Sequence, residues 1–276
     1  MFEINDIASD ALFYSKKGWF YLFESKYALA QEQFERALEQ DSLCINALMG
    51  AGTVSWACTN FEGALYFFTR VLTLDPNFSE AYSSRGAIFA TMRDYSEALA
   101  DFNTCIRINE SCASGYVNRA TLNISFQSYE AALKDLDRAL AIELCPAVLI
   151  KKAYTNFLLN NFEETIEACT YAVALQPDAA CAYYLRGLSH YNTGDYQAAL
   201  ADFDLSLNLI PGAADVYHAR ACAYQFLMEF ELAAQNMQRA AHLDERFKEL
   251  ADKLSSSQNC VVSLAAMPPQ LWAQIA

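Results

Sequence analysis

A small residue returns along this chain every 34 positions. It stands at Gly18, Gly52, Gly86, Ala120, Ala153, Gly187 and Ala221, in steps of 34, 34, 34, 33, 34 and 34. Nine residues after each comes an aromatic: Tyr27, Phe61, Tyr95, Tyr129, Phe162, Tyr196 and Phe230. Three residues further are Ala30, Ala64, Ala98, Ala132, Thr165, Ala199 and Ala233. Next come Phe34, Phe68, Phe102, Leu136, Cys169, Phe203 and Met237, and three beyond those Ala37, Val71, Cys105, Ala139, Ala172, Ser206 and Ala240. Self-similarity at such a period means that each copy is one small unit, which buries its apolar face only by stacking on its neighbours. That excludes most folds at once.

The columns read as two helices per copy. The small residue at the eighth position and the Ala at the twentieth belong where two antiparallel helices approach most closely, since a larger side chain would part them. The aromatic at the seventeenth fills the space beside the turn, and the large apolar residue at the twenty-fourth is expected to pack toward the next copy. Turn formers Asn60, Asp94, Gly194 and Asp195 separate the helices. Between copies, Pro76, Pro177 and Pro211 share one position, where Pro ends the preceding helix. The one short step falls at Cys145-Pro146, in such a loop. Only nine Gly and six Pro occur in 276 residues, too few for a fold of many tight turns. Runs of Ala, Leu, Glu and Gln favour helix instead. The class is all-α.

The pattern resembles the tetratricopeptide repeat (TPR) over residues 11–247, written as copies 11–44, 45–78, 79–112, 113–145, 146–179, 180–213 and 214–247. The resemblance implies a right-handed α-solenoid of seven helix–turn–helix units, preceded by an extension at 1–10. Residues 248–254 read as an amphipathic capping helix that shields the last apolar face. Residues 255–276 read as a linker and an apolar C-terminal tail. Pentatricopeptide repeats have a 35-residue period and a basic surface, and Sel1-type repeats are longer and richer in Gly; neither fits.

Charge narrows the partners. Lys and Arg number 19 against 33 Asp and Glu, a net charge of −14, and no basic run occurs. Phosphate neutralisation needs clustered basic residues, so no nucleic-acid partner is expected. The same charge opposes docking on anionic lipid, and no uncharged apolar stretch of about 18 residues exists to insert into a membrane. The first residues lack the features of a secretory signal. Nine cysteines with no CxxC pair read as reduced core thiols of a cytoplasmic protein, with no metal or cofactor expected. His190, His218 and His242 have no nucleophile placed beside them by motif, and no phosphate-cradling loop, HExxH or GxSxG is present. The chain is not expected to be an enzyme.

Two constellations remain within the copies. A basic residue holds the seventh position at Lys17, Arg85, Arg119, Lys152, Arg186 and Arg220. Three of these have an Asp sixteen residues later: Arg85 with Asp101, Arg119 with Asp135, Arg186 with Asp202. They could form a ladder for acidic peptides, or structural ion pairs repeated with the unit. The correlated Asp favours ion pairs, whose effect is on helix register more than on stability.

The second constellation follows from the resemblance, which places the second, fifth, ninth and twelfth positions of each first helix on a concave face. They include Trp19, Leu22, Met49 and Trp56 in the first two copies, and Val117 and Ile124 in the fourth. Ile150, Tyr154 and Phe157 follow in the fifth, and Tyr184, Leu188 and Tyr191 in the sixth. Such positions are usually polar on surface helices, so an apolar groove for a partner polypeptide is expected. The carboxylate clamp of chaperone-binding TPR domains is absent, with Ser15, Trp19, Gly50, Glu80 and Ser84 at its positions.

The uncharged tail carries Leu271, Trp272 and Ile275, which are costly to leave in water. It is read as folding over the chain's own groove (self-occlusion), as docking on a second copy to give a homo-oligomer, or as a poorly ordered end. The expected function is non-catalytic: a scaffold or assembly factor binding a protein or peptide. The alternatives are a chaperone-like holder of an apolar segment of a secreted or membrane-complex subunit, and a regulatory subunit of an enzyme.

Overall fold

The computed structural model describes residues 3–256, and all regular structure among them is helical. The order is α1 (Glu3–Phe23), α2 (Tyr27–Gln40), α3 (Ile45–Ala57), α4 (Phe61–Leu74), α5 (Ser79–Met92), α6 (Tyr95–Ile108), α7 (Ala113–Ser125) and α8 (Tyr129–Ile142). It continues with α9 (Pro146–Leu158), α10 (Phe162–Leu175), α11 (Ala180–Asn192), α12 (Tyr196–Leu209), α13 (Ala214–Phe226) and α14 (Phe230–Leu243). A 3-10 turn at Glu245–Phe247 leads into α15 (Lys248–Ser256). Contacts divide the chain into units spanning 1–128 and 129–276, each a stack of antiparallel helix pairs. The fourth copy straddles the division.

Every first helix ends in the same way. The fifteenth residue of each copy has positive φ: Ser25, Thr59, Arg93, Gln127, Asn160, Gly194 and Met228. The next residue's N–H then bonds back five positions, as in Lys26 to the Tyr21 carbonyl at 2.8 Å and Asn60 to that of Ser55 at 2.8 Å. This left-handed closure satisfies carbonyls that the helix end leaves free, and it reverses the chain within three residues. Asn60 and Asp195 then cap the second helices, their Oδ1 atoms accepting the N–H groups of Gly63 at 3.0 Å and Ala198 at 3.1 Å. Between copies the loop is four residues long, as at 41–44 and 75–78, and only three before Pro146. There the missing residue costs no helical turn.

Inside each unit the eighth position meets the twenty-fourth of its own copy. A Cβ on Gly18 would lie 2.6 Å from the Phe34 ring, one on Gly52 2.8 Å from Phe68, one on Gly86 2.7 Å from Phe102, and one on Gly187 2.7 Å from Phe203. The expectation that this apolar residue packs toward the next copy therefore needs enlarging. Phe34 does touch the next copy, where a Cβ on Gly50 would lie 2.1 Å from its ring. Its first partner is nevertheless the glycine of its own helix pair. In the second unit α15 covers the final pair: Ala251 and Leu254, with Phe247, are buried in one cluster with Ala233, Met237 and Ala240.

Candidate functional site

The basic column is engaged on several sides. Arg85 donates from Nε and Nη2 to Asp101 at 2.8 and 2.9 Å, and Arg186 does the same to Asp202 at 2.8 and 2.7 Å. The Asp101 bond raises the already high pKa of Arg85, and the Asp202 bond that of Arg186. In the last copy Arg220 Nε donates to Asn236 at 2.7 Å. A further set of partners, unforeseen from the sequence, sits upstream in the preceding copy, sixteen residues away or, across the shortened loop before Pro146, fifteen. Arg85 reaches Thr69 at 3.4 Å, Arg119 reaches Asn103 at 2.6 Å, Lys152 reaches Asp137 at 2.6 Å, and Arg186 reaches Thr170 at 3.1 Å. Arg220 reaches Asp204 likewise. Four of these guanidinium groups also lie over a Tyr three residues earlier, Arg220 over Tyr217 at 5.2 Å. One side chain thus braces its own helix pair against the copy before it. Arg119 and Asp135 belong to different units; Asp135 is buried in the second.

The expected groove residues separate by position. Met49, Ile150 and Tyr184 at the fifth position, and Tyr154 and Leu188 at the ninth, are buried, with Tyr184 only 1% exposed. These five fill space inside the units and present no open groove. The cause is that first helices of successive copies pack side by side, α3 on α5 and α9 on α11, and large side chains at these positions close the seam. Trp19 is half-buried against Phe34, with ring centroids 5.7 Å apart, and Val117 is half-buried too. The twelfth position stays more open: Trp56 is 38% exposed, while Leu22, Ile124, Phe157 and Tyr191 are half-buried. On α9 Lys151 is buried as well, and burial pushes its ammonium below the usual lysine range.

In each unit apolar residues also stand exposed at the helix turns. Phe23 is 87% exposed, Phe126 52% and Met228 78%. Aromatics of adjacent copies meet there. In the first unit Tyr95 packs edge-on against Phe126, centroids 5.0 Å apart; in the second Tyr196 stacks on Phe226 at 4.9 Å and 13°, with Tyr191 against both. Tyr95 and Tyr196 belong to the aromatic column at the seventeenth position, but Phe23, Phe126, Phe226 and Met228 stand at the thirteenth to fifteenth positions and form no column, so a periodic reading passes over them. Their signal in the sequence is an apolar residue where the helix end is normally polar.

A second apolar feature lies between α8 and α10 in the second unit. It is a cavity of about 560 Å³, walled by Leu133, Leu140, Leu144, Leu149, Tyr171 and Leu175, with the Lys152–Asp137 ion pair and Glu164 and Glu167 at its margin. It adjoins the shortened loop before Pro146. Among the described residues no three His, Cys, Asp or Glu gather as a metal site, and no helix is long and apolar enough to cross a membrane. The tail and its proposed placements lie outside the described residues.

The structure resembles YrrB, a TPR protein with an unusual peptide-binding site, at 18% identity and a TM-score of 0.61 over 69% of this chain and 98% of that one. Against pilF of Pseudomonas aeruginosa the identity is 16% and the TM-score 0.68, over 76% and 97%. Against the Cut9–Hcn1 hetero-tetramer of the APC/C they are 16% and 0.66, over 92% and 53%. In sequence, tetratricopeptide repeat protein 16 of Homo sapiens and of Macaca fascicularis is 40% identical over 63 residues, 23% of this chain and only 7% of the relative's length. The tetratricopeptide repeat profiles match residues 16–77, 79–112 and 153–214. With the 34-residue columns, the recurrent left-handed turn and the stacked helix pairs, these matches place the chain in the tetratricopeptide repeat family.

Proposed function

We propose that this chain is a non-catalytic scaffold or assembly factor of the cytoplasm, which holds a partner polypeptide through apolar and aromatic contacts. The observation that carries the reading is the exposed apolar surface that each unit shows near its helix turns: Trp56 and Phe126 in the first, and Phe226 and Met228 in the second, with half-buried Tyr191 against Phe226. Clustered exposed apolar residues mark contact surfaces, and Trp and Tyr are enriched among the residues that carry binding energy there. The basic column supports the reading by default. Its arginines already hold side chains of the protein itself, which leaves apolar burial as the main source of affinity.

The test uses photo-crosslinking side chains placed at positions 126 and 226 of the full chain, in cells that make the protein. Cross-links to one protein at both positions, lost on Trp56→Ala with Tyr191→Ala while helical circular dichroism is retained, are the expected result. Unchanged cross-linking in that double variant would sink the reading. A second reading, favoured by the cavity between α8 and α10, has the partner insert an apolar side chain there. It predicts cross-links from position 171 instead. A holder of apolar segments would differ from a scaffold in one respect: its partner stays soluble only when the two are made together.

A further inference from the structure

Cys105, in the last turn of α6, and Cys112, the cap residue before α7, are both buried, and their sulfurs lie 3.2 Å apart. No other pair among the described cysteines shows such a contact, and both members belong to the first unit. Gly115 leaves the room for it, since a Cβ there would sit 2.8 Å from the Cys105 sulfur. The Cys105 thiol donates to Cys112 Sγ, and the Ser114 hydroxyl lies 3.3 Å from the same sulfur at the start of α7. We propose that Cys105 and Cys112 are a redox-reactive dithiol, converted to an intramolecular disulfide by a peroxide and returned by a thiol reductant.

Geometry supplies most of the case. A disulfide requires the sulfurs to close by only about 1.2 Å, and each already has the other as its nearest reacting group. The roles are asymmetric. The Cys105 thiol, and then the Ser114 hydroxyl and Gly115 amide, donate to Cys112 and lower its pKa against the opposing effect of burial. Cys105 is held protonated by its bond to Cys112 and by burial, and Glu80 opposes charge on either sulfur. Of the two sulfurs Cys112 is therefore the one favoured as thiolate, and it is also the less completely buried, so it is the first target of an oxidant.

The chemistry balances without a metal. The Cys112 thiolate attacks one peroxide oxygen and the O–O bond breaks, giving a sulfenic acid; the displaced hydroxide takes a proton from solvent and leaves as water. Cys105 sulfur then attacks Cys112 sulfur, the S–O bond breaks, and the departing hydroxide takes the Cys105 proton as the second water. Two thiols are oxidised and one peroxide is reduced.

The test treats the full-length protein with limiting hydrogen peroxide, blocks remaining thiols, and maps peptides by mass spectrometry without reduction. The expected product is a 105–112 cross-link, formed before the exposed Cys58 is oxidised and reversed by dithiothreitol. In Cys105→Ser a sulfenic acid persists at Cys112 and is trapped by a 1,3-dione. In Cys112→Ser the fast reaction with peroxide is lost, because the remaining Cys105 thiol is fully buried and burial opposes its ionisation. Two results overturn the proposal: oxidation of Cys58 while 105 and 112 remain reduced, or disulfides spread among cysteines without preference. Both are read on the unaltered chain, so a variant that fails to fold does not rescue the idea. The alternative they would establish is two thiols packed as small hydrophobes.

Discussion

The Phe203 ring occupies the space that a side chain on Gly187 would need, its nearest atom 2.7 Å from where a Cβ would stand. The same exchange is written along the sequence. Copies with Gly at the eighth position carry Phe at the twenty-fourth, and copies with Ala there carry Leu136, Cys169 or Met237. Backbone approach and ring volume are one constraint.

Gly187→Ala should therefore destabilise the protein by about 1–2 kcal/mol: overpacking costs about 1–3 kcal/mol, and the better helix propensity of Ala returns part of it. Adding Phe203→Met, the pairing of Ala221 with Met237, should relieve the clash and give a coupling energy of about 1 kcal/mol. Urea denaturation of the two single variants and the double variant checks this. Strict additivity would mean that Gly187 is present for another reason.

Thr59 is a β-branched residue at φ 59°, where only Gly sits without strain, and the sixth copy places Gly194 at the equivalent position. Thr59→Gly should raise stability by about 1 kcal/mol, the left-handed strain exceeding the added freedom of the unfolded chain. Thr59→Ala should gain much less. Thermal melts followed by circular dichroism discriminate between them.

Arg186 and Asp202 are largely shielded from solvent, with side-chain exposures of 17% and 5%. Removing one charge leaves the other buried and unpaired, so Asp202→Ala should cost about 3 kcal/mol. Replacing both, as Arg186→Met with Asp202→Leu, should cost less than that single change, because no orphan charge remains. Chemical denaturation gives the comparison. A double variant as weak as the single would mean that the ion pair itself supplies net stability.

His218 is 3% exposed and stacks on Phe247 with centroids 4.9 Å apart, while Cys222 Sγ lies 3.7 Å from its Nε2. Burial, reinforced by Arg246, pushes its pKa down to about 4. The folded state therefore resists a proton that the unfolded chain accepts near pH 6.5. The stability it contributes is present above pH 6.5 and lost as pH falls toward 4, by at most about 3 kcal/mol. Asp215, held by Arg246, works the other way: burial raises its pKa, so its contribution is favourable at low pH and fades as pH rises. Urea midpoints from pH 7 to 4.5 should fall more steeply in the native chain than in His218→Leu. Parallel slopes would exclude the histidine as the cause.

The seven-copy organisation, the all-α class, the short loop at Cys145-Pro146 and the partnering of Arg85 with Asp101 and Arg186 with Asp202 were legible in the residues. All are local or strictly periodic: a helix pair packs the same way in each copy, so its columns repeat. The groove was less legible. Tyr184 and Trp56 are both large, apolar and on first helices, yet one is buried and the other open. Which is which depends on how closely the next copy's helix approaches at the fifth or twelfth position, and sequence spacing within one copy does not encode that distance. The reach of each basic residue into the preceding copy, the stacked Tyr196 and Phe226, the cavity beside α10 and the contact of Cys105 with Cys112 arise for the same reason. They join residues of different copies, or of a helix end and a loop, at distances set by stacking. The sequence determined what each repeat is; the tertiary structure decided which of its side chains remain available, because burial is a property of neighbours.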